Sequence, residues 1–172
     1  MDDRVTVKRY SEKRFAEILE QYGPMLSRIA MSYELDPDLR NDLLQEMAFA
    51  LWRAIPKFEQ RSSLKTFVAR IAHYRGASHV AKEIRRPNTH ELDAEVAESM
   101  PAPDMQVGAK IDRDKLMQAV RRLPLKLSQV ASLALEGFEA REVAETLGIS
   151  ANNASVRLKR AKELLQKELQ HG

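Results

Sequence analysis

The residues best equipped for chemistry lie near the end of this 172-residue chain, in "ETLGISANNASVRLKRAKELL", Glu145 to Leu165. On a helix, Ala154, Leu158, Ala161 and Leu165 form an apolar stripe. Asn152, Asn153, Ser155, Arg157, Lys159, Arg160 and Lys162 fall on the other faces, and no acid occurs from Thr146 to Lys162. Asparagine pairs bidentately with adenine, lysine donates to guanine, and an exposed Val156 packs on a thymine methyl. Arginine and lysine further along hold phosphates. The chemistry on offer is base-edge recognition and charge neutralisation.

The spacing that would position these side chains is that of a helix-turn-helix. In "REVAETLGISANNASVRL", Ala144 is small where two helices cross closely, and Gly148 sits where a tight turn needs positive φ. Ile149 plugs the turn and Ser150 caps the second helix, which can then lie in a major groove. Such helices also build plain bundles with solvated charged faces. The Ala–Gly–Ile spacing, the missing acids and Val156 on the polar face favour DNA.

A second cationic stretch runs from Lys57 to Arg86, with eight basic residues against Glu59 and Glu83. Phe58, Phe67 and Tyr74 are interleaved. Cations along a backbone with aromatic platforms suit single-stranded nucleic acid. Phe67 belongs to the Leu64–Val68–Ile71 stripe and reads as core; Phe58 and Tyr74 are open either way. Upstream, Asp42, Gln45, Glu46 and Phe49 share a narrow face. The helix dipole alone accounts for early acids, and docking of a basic protein partner is the sharper alternative. Trp52 reads as packing.

The elements around these residues are helical throughout. Ser11 is placed to cap a first helix that Gly23-Pro24 ends, and Met25 to Tyr33 forms another. Asp36-Pro37 opens a helix that Pro56 stops. After the loop "KFEQRSS", Ser63 caps a long helix reaching Pro87. From Arg86 to Asp112 periodicity weakens and prolines and acids accumulate. Helices then follow at Leu116–Leu123, Leu127–Leu135, Arg141–Leu147 and Asn152–Leu169. The expected fold is all-α: a helical bundle over residues 1–87, a flexible acidic linker over 88–111, and a four-helix domain with the helix-turn-helix over 112–172.

Charge follows the same division. Residues 1–90 sum to +4, 91–114 to −5 and 115–172 to +4, out of a net +3. Two basic modules flanking an acidic connector suit nucleic acid as partner. The chain has no cysteine, which excludes disulfides and thiolate metal sites. No signal-peptide core or membrane-length apolar run is present, so the expected location is the cytoplasm, without membrane insertion. No enzyme constellation converges. His90-Glu91 lacks a second histidine at ligand spacing, His73 and His79 lie off one face, and no Gly-rich phosphate loop occurs. No catalytic residue, metal, cofactor or small-molecule substrate is therefore expected.

Together these motifs resemble the extracytoplasmic-function (ECF) class of bacterial sigma factors, over nearly the whole chain. "DLLQEMAFALWRAIPKFEQRSSLKTFVARIAHY" is similar to that family's second conserved region, and "LPLKLSQVASLALEGFEAREVAETLGISANNASVRLKRAKELL" to its fourth. The resemblance implies that Asp42, Gln45, Glu46 and Phe49 dock on core RNA polymerase. It implies that Phe58, Arg61, Ser62, Ser63, Lys65, Arg70, Tyr74, Arg75 and His79 hold the melted minus-ten element of promoter DNA. Asn152, Asn153, Ser155, Val156, Arg157, Lys159 and Arg160 then read the minus-thirty-five element, the linker threads toward the polymerase active centre, and an anti-sigma factor is an expected partner. His73-Tyr74, Ser78, Phe67 and "ANNAS" depart from common family residues, which bears on base preference. The rival reading is a helix-turn-helix regulator that never docks on polymerase.

Overall fold

A computed structural model of the chain describes the backbone over residues 3–85 and 107–171 and side chains over 12–85 and 115–170. Seven α-helices are present among these residues: α1 (Asp3–Tyr33), α2 (Pro37–Ala54), α3 (Leu64–Arg85), α4 (Val107–Arg122), α5 (Leu125–Leu135), α6 (Ala140–Leu147) and α7 (Ala151–His171). A short 3-10 helix, Ile55–Lys57, follows α2. Residues 86–106, which hold most of the expected linker, lie outside the described residues; its last stretch, from Val107, already belongs to α4.

Helix α1 corrects two expectations. It is continuous through Gly23-Pro24, and its backbone is helical from Asp3, upstream of Ser11. Proline in a helix interior costs about 3 kcal/mol. Met25, Leu26, Ile29 and Ala30, directly after it, are buried in the core. Burying each large apolar side chain contributes about 1.5–3 kcal/mol, so packing outweighs the missing hydrogen bond.

The other helix starts follow the sequence. Asp36 Oδ1 accepts from the Asp38 and Leu39 amides at 2.9 and 3.0 Å, ahead of Pro37 at the first helical turn. Ser63 Oγ accepts from the Thr66 amide at 3.1 Å and caps α3. Glu139 and Glu142 form a reciprocal capping box on α6. Gly148 ends α6 at φ 65°, the left-handed conformation its position demands.

Helices α1–α3 bury Leu43, Met47, Leu51 and Val68, and α4–α7 bury Val120, Val130, Leu133 and Val143. The two sets are joined in one continuous core, with α3 against α6 and α1 against α4 and α5. At this seam Gln129 Nε2 donates to Tyr33 Oη at 3.2 Å, and Tyr33 Oη lies 2.7 Å from His73 Nδ1. The other ring nitrogen of His73, Nε2, is buried without a partner. Burial pushes the His73 imidazole down to about 3 and holds the Tyr33 phenol above its usual range.

Gly76 lies directly beneath Tyr33. A Cβ built there would sit 2.3 Å from the tyrosine ring. Gly76→Ala is therefore expected to destabilise the fold by about 3 kcal/mol or more, read as a lowered urea midpoint. His73 gives a pH dependence. Its folded-state value lies below the unfolded value, so the unfolded chain binds the extra proton and stability falls as pH drops from about 6.5 toward 3. Going from pH 7 to pH 5 should cost about 2 kcal/mol from this residue, and that increment should be absent in His73→Asn.

Candidate nucleic-acid interface

Helix α7 packs on α5 and α6 through Ala154 and Ala161, both fully buried, with Leu158 partly covered. Burying this stripe forces the opposite side outward. Asn152, Ser155, Val156, Lys159, Arg160 and Lys162 are exposed, Val156 by 59%. Asn153 and Arg157 are half-buried at the flanks. The turn leading into α7 is held by the Ile149 amide on the Ala144 carbonyl at 3.0 Å and by the Asn153 amide on Ser150 Oγ at 3.1 Å. The face is cationic and free of acid as far as Lys162, with exposed Glu163 one turn beyond Lys159, and it carries the donors and the methyl groups that base edges match.

The loop between α2 and α3 is built on aromatic packing. Phe58 and Phe67 lie 4.5 Å apart between ring centroids, and Phe67, read from its stripe as core, is half-buried against Phe58 instead. Gln60 takes a positive φ of 56° in this loop. Arg61 is exposed and pairs with Glu59 at 2.6 Å; Ser62 is half-buried, and Ser63 is spent on capping. Tyr74 is 67% exposed on α3, with the Arg75 guanidinium 5.7 Å from its ring centroid.

Three members of the set have polar partners far away in the chain. Lys65 Nζ donates to the Glu136 carbonyl at 2.8 Å and stands 4.2 Å from the Phe138 ring centroid. Arg70 donates to the Glu145 carbonyl at 3.0 Å. His79 is buried, with Nε2 2.9 Å from Glu34 Oε2. The geometry thus distinguishes four of the nine residues: Arg61 is exposed beside Glu59, Lys65 and Arg70 meet the other half, and His79 is internal.

On α2, Asp42, Gln45, Glu46 and Phe49 are all exposed on one face. Trp52 corrects its sequence reading: it is 43% exposed and stacks on Phe49, rings 6.1 Å apart. Between this face and α3 lies a cleft of about 570 Å³ lined by Arg53, Lys57, Arg75, Ser78 and Lys82 among others. The Arg75 Nε there is buried without a partner. Sequence reasoning passed over Arg53, Lys57 and Lys82 as site residues. The legible signal was their spacing: Arg53 in α2 and Lys57 in the 3-10 helix that continues it are four apart, and Arg75, Ser78 and Lys82 fall at i, i+3, i+7 on α3.

Among the described residues, no group of side chains is placed to hold a metal ion, and no helix is long and apolar enough to cross a membrane.

Comparison with known proteins finds two family models along the chain. The Sigma-70 region 2 model matches residues 18–86 and the Sigma-70 region 4 model matches residues 113–165. The RNA polymerase sigma factor NccH of Alcaligenes xylosoxydans is 27% identical, covering 91% of this chain and 87% of its own length. The ECF RNA polymerase sigma-E factor of Escherichia coli K12 is 23% identical, over 99% of this chain and 95% of its own. Two solved structures share the fold. RpoE in complex with the anti-sigma factor NepR from Bartonella quintana has a TM-score of 0.73 at 24% identity, over 92% of this chain and 98% of that one. CnrH in complex with the cytosolic domain of CnrY has a TM-score of 0.69 at 19% identity, over 98% and 97%. With both regions present in order and ECF sigma factors among its relatives, the chain belongs to the ECF subfamily of sigma-70 factors.

Proposed function

We propose that this chain acts in the cytoplasm as a non-catalytic initiation factor. It binds core RNA polymerase, reads duplex promoter DNA through α7 and traps melted bases with the loop after α2. Core polymerase performs the chemistry. Residues 1–87 serve polymerase and minus-ten binding, 88–111 the connector and 112–172 minus-thirty-five binding.

The observation that carries this reading over a duplex-only regulator is the α2 face. Asp42 and Glu46 stand exposed without an ion pair among the described residues, beside the exposed Phe49–Trp52 stack. Exposed aromatics among unpaired charge mark a protein-docking surface, for which a duplex-only regulator has no use. Asp42, Gln45, Glu46 and Phe49 form the polymerase contact. Phe58, Arg61, Ser62, Ser63, Lys65, Arg70, Tyr74 and Arg75 form the minus-ten surface, with His79 supporting it through Glu34. Asn152, Asn153, Ser155, Val156, Arg157, Lys159 and Arg160 read the minus-thirty-five element. Two structural neighbours are complexes with small regulators, NepR and CnrY, and an anti-sigma factor is the matching class of partner here.

The Asp42→Arg/Glu46→Arg double substitution is expected to abolish co-purification with core polymerase and run-off transcription while leaving the thermal midpoint unchanged. Retained polymerase binding would sink the docking assignment. At α7, Asn152→Ala or Lys159→Ala should relax base preference, each costing about 1–3 kcal/mol at its own position. Arg160→Ala should instead weaken binding uniformly and reduce the salt slope by about 1. If base preference survives substitution of both Asn152 and Lys159, the groove assignment is wrong.

A further inference from the structure

The cleft between α2 and α3 gathers more positive charge than its walls neutralise. Arg53 of α2 and Lys57 of the 3-10 helix stand on one side, Arg75 and Lys82 of α3 on the other. Among the described residues that line it, Glu46 is the one carboxylate. Arg53, Lys57 and Lys82 are exposed and form no ion pair among the described residues. His79, which also lines the cleft, is already held by Glu34 Oε2 at 2.9 Å. Arg75 Nε is buried and has no hydrogen-bond partner. A buried guanidinium donor left unmade is costly, and cations gathered around one cleft repel each other. An anion in the cleft relieves both.

We infer that this cleft is a binding site for a free oligophosphate, the group that a nucleoside polyphosphate presents. Its volume of about 570 Å³ lies in the range of small-ligand sites. The charge selects the ligand. A terminal phosphoryl group carries about −1.5 to −2 charge at pH 7, whereas a nucleic-acid backbone phosphate carries a single one. Four cations against one carboxylate match the more highly charged group. Phe49 supplies an apolar edge to the same cleft, against which a nucleoside can rest. The loop residues Phe58, Arg61, Ser62 and Ser63 do not line it, so it is set apart from the loop that the function proposed above gives to melted bases. Lys57 and Lys82 belong neither to that surface nor to the docking face, and the site does not depend on either assignment.

Sodium tripolyphosphate is the first probe, titrated into the full chain by calorimetry at fixed ionic strength. A short mixed-sequence single-stranded DNA is the second. Tripolyphosphate is expected to bind at one site per chain. Lys57→Ala/Lys82→Ala should weaken it by about tenfold, a change of about 1.4 kcal/mol. Lys115→Ala/Lys126→Ala removes the same charge from exposed positions on α4 and α5 and should leave the affinity within about twofold. All four lysines are exposed, so the thermal midpoint of both double variants should match that of the parent. Ser78→Glu adds a carboxylate to the cleft without removing a cation and should weaken binding comparably. Absence of saturable binding, or an equal loss in the two lysine pairs, would overturn the site and leave only diffuse attraction for polyanions. Unchanged affinity in Ser78→Glu would overturn its placement in this cleft. If the oligonucleotide alone binds and loses affinity in Lys57→Ala/Lys82→Ala, the cleft is a stretch of the DNA track and the proposal falls.

Discussion

The contact between Tyr33 and Gly76 sets the geometry on which the remaining structure depends. The tyrosine ring occupies space that any Cβ on Gly76 would need, so α1 and α3 approach closely only because that residue is glycine. The hydroxyl at the end of the same ring then bridges His73 on α3 and Gln129 on α5. One side chain thus sets the spacing of α1 and α3 and ties both to α5. Its polar tip and apolar body are both used, as a buried tyrosine requires.

Electrostatics divides the surface according to which cations find partners. On α3, Lys65 and Arg70 lie against helix ends that carry partial negative charge. On α7 the exposed cations Lys159, Arg160 and Lys162 point away from the core stripe of Ala154 and Ala161, in a stretch without acid before Glu163. The outer face of α7 is therefore open in the same conformation in which part of the α3 surface is covered. On α2 the exposed acids and the stacked Phe49–Trp52 pair lie on a separate face.

Much of the local architecture was legible. The Asp36 cap, the Ser63 cap, the Gly148 turn and the inward stripe of α7 rest on interactions between residues a few positions apart, so the local string specifies them. The same holds for the exposed set on α7, since a helix that buries one face must present the other. Pro24 was misread because its local rule competes with burial of Met25, Leu26, Ile29 and Ala30 by helices distant in the chain. Trp52 was misread for a related reason: its neighbour Leu51 is buried, and one helical step carries Trp52 off that face.

What the sequence determined by itself was the all-helical fold, the helix-turn-helix and the identity of the cationic and acidic faces, because periodicity, caps and turn residues act over short range. Tertiary structure decided which cations are free. Lys65 and Arg70 read as equivalent to Arg61 along the chain, yet they end on carbonyls 71 and 75 residues away, and His79 ends inside against Glu34. Those pairings depend on where the ends of α5 and α6 come to rest, a matter of packing between helices that no local spacing encodes.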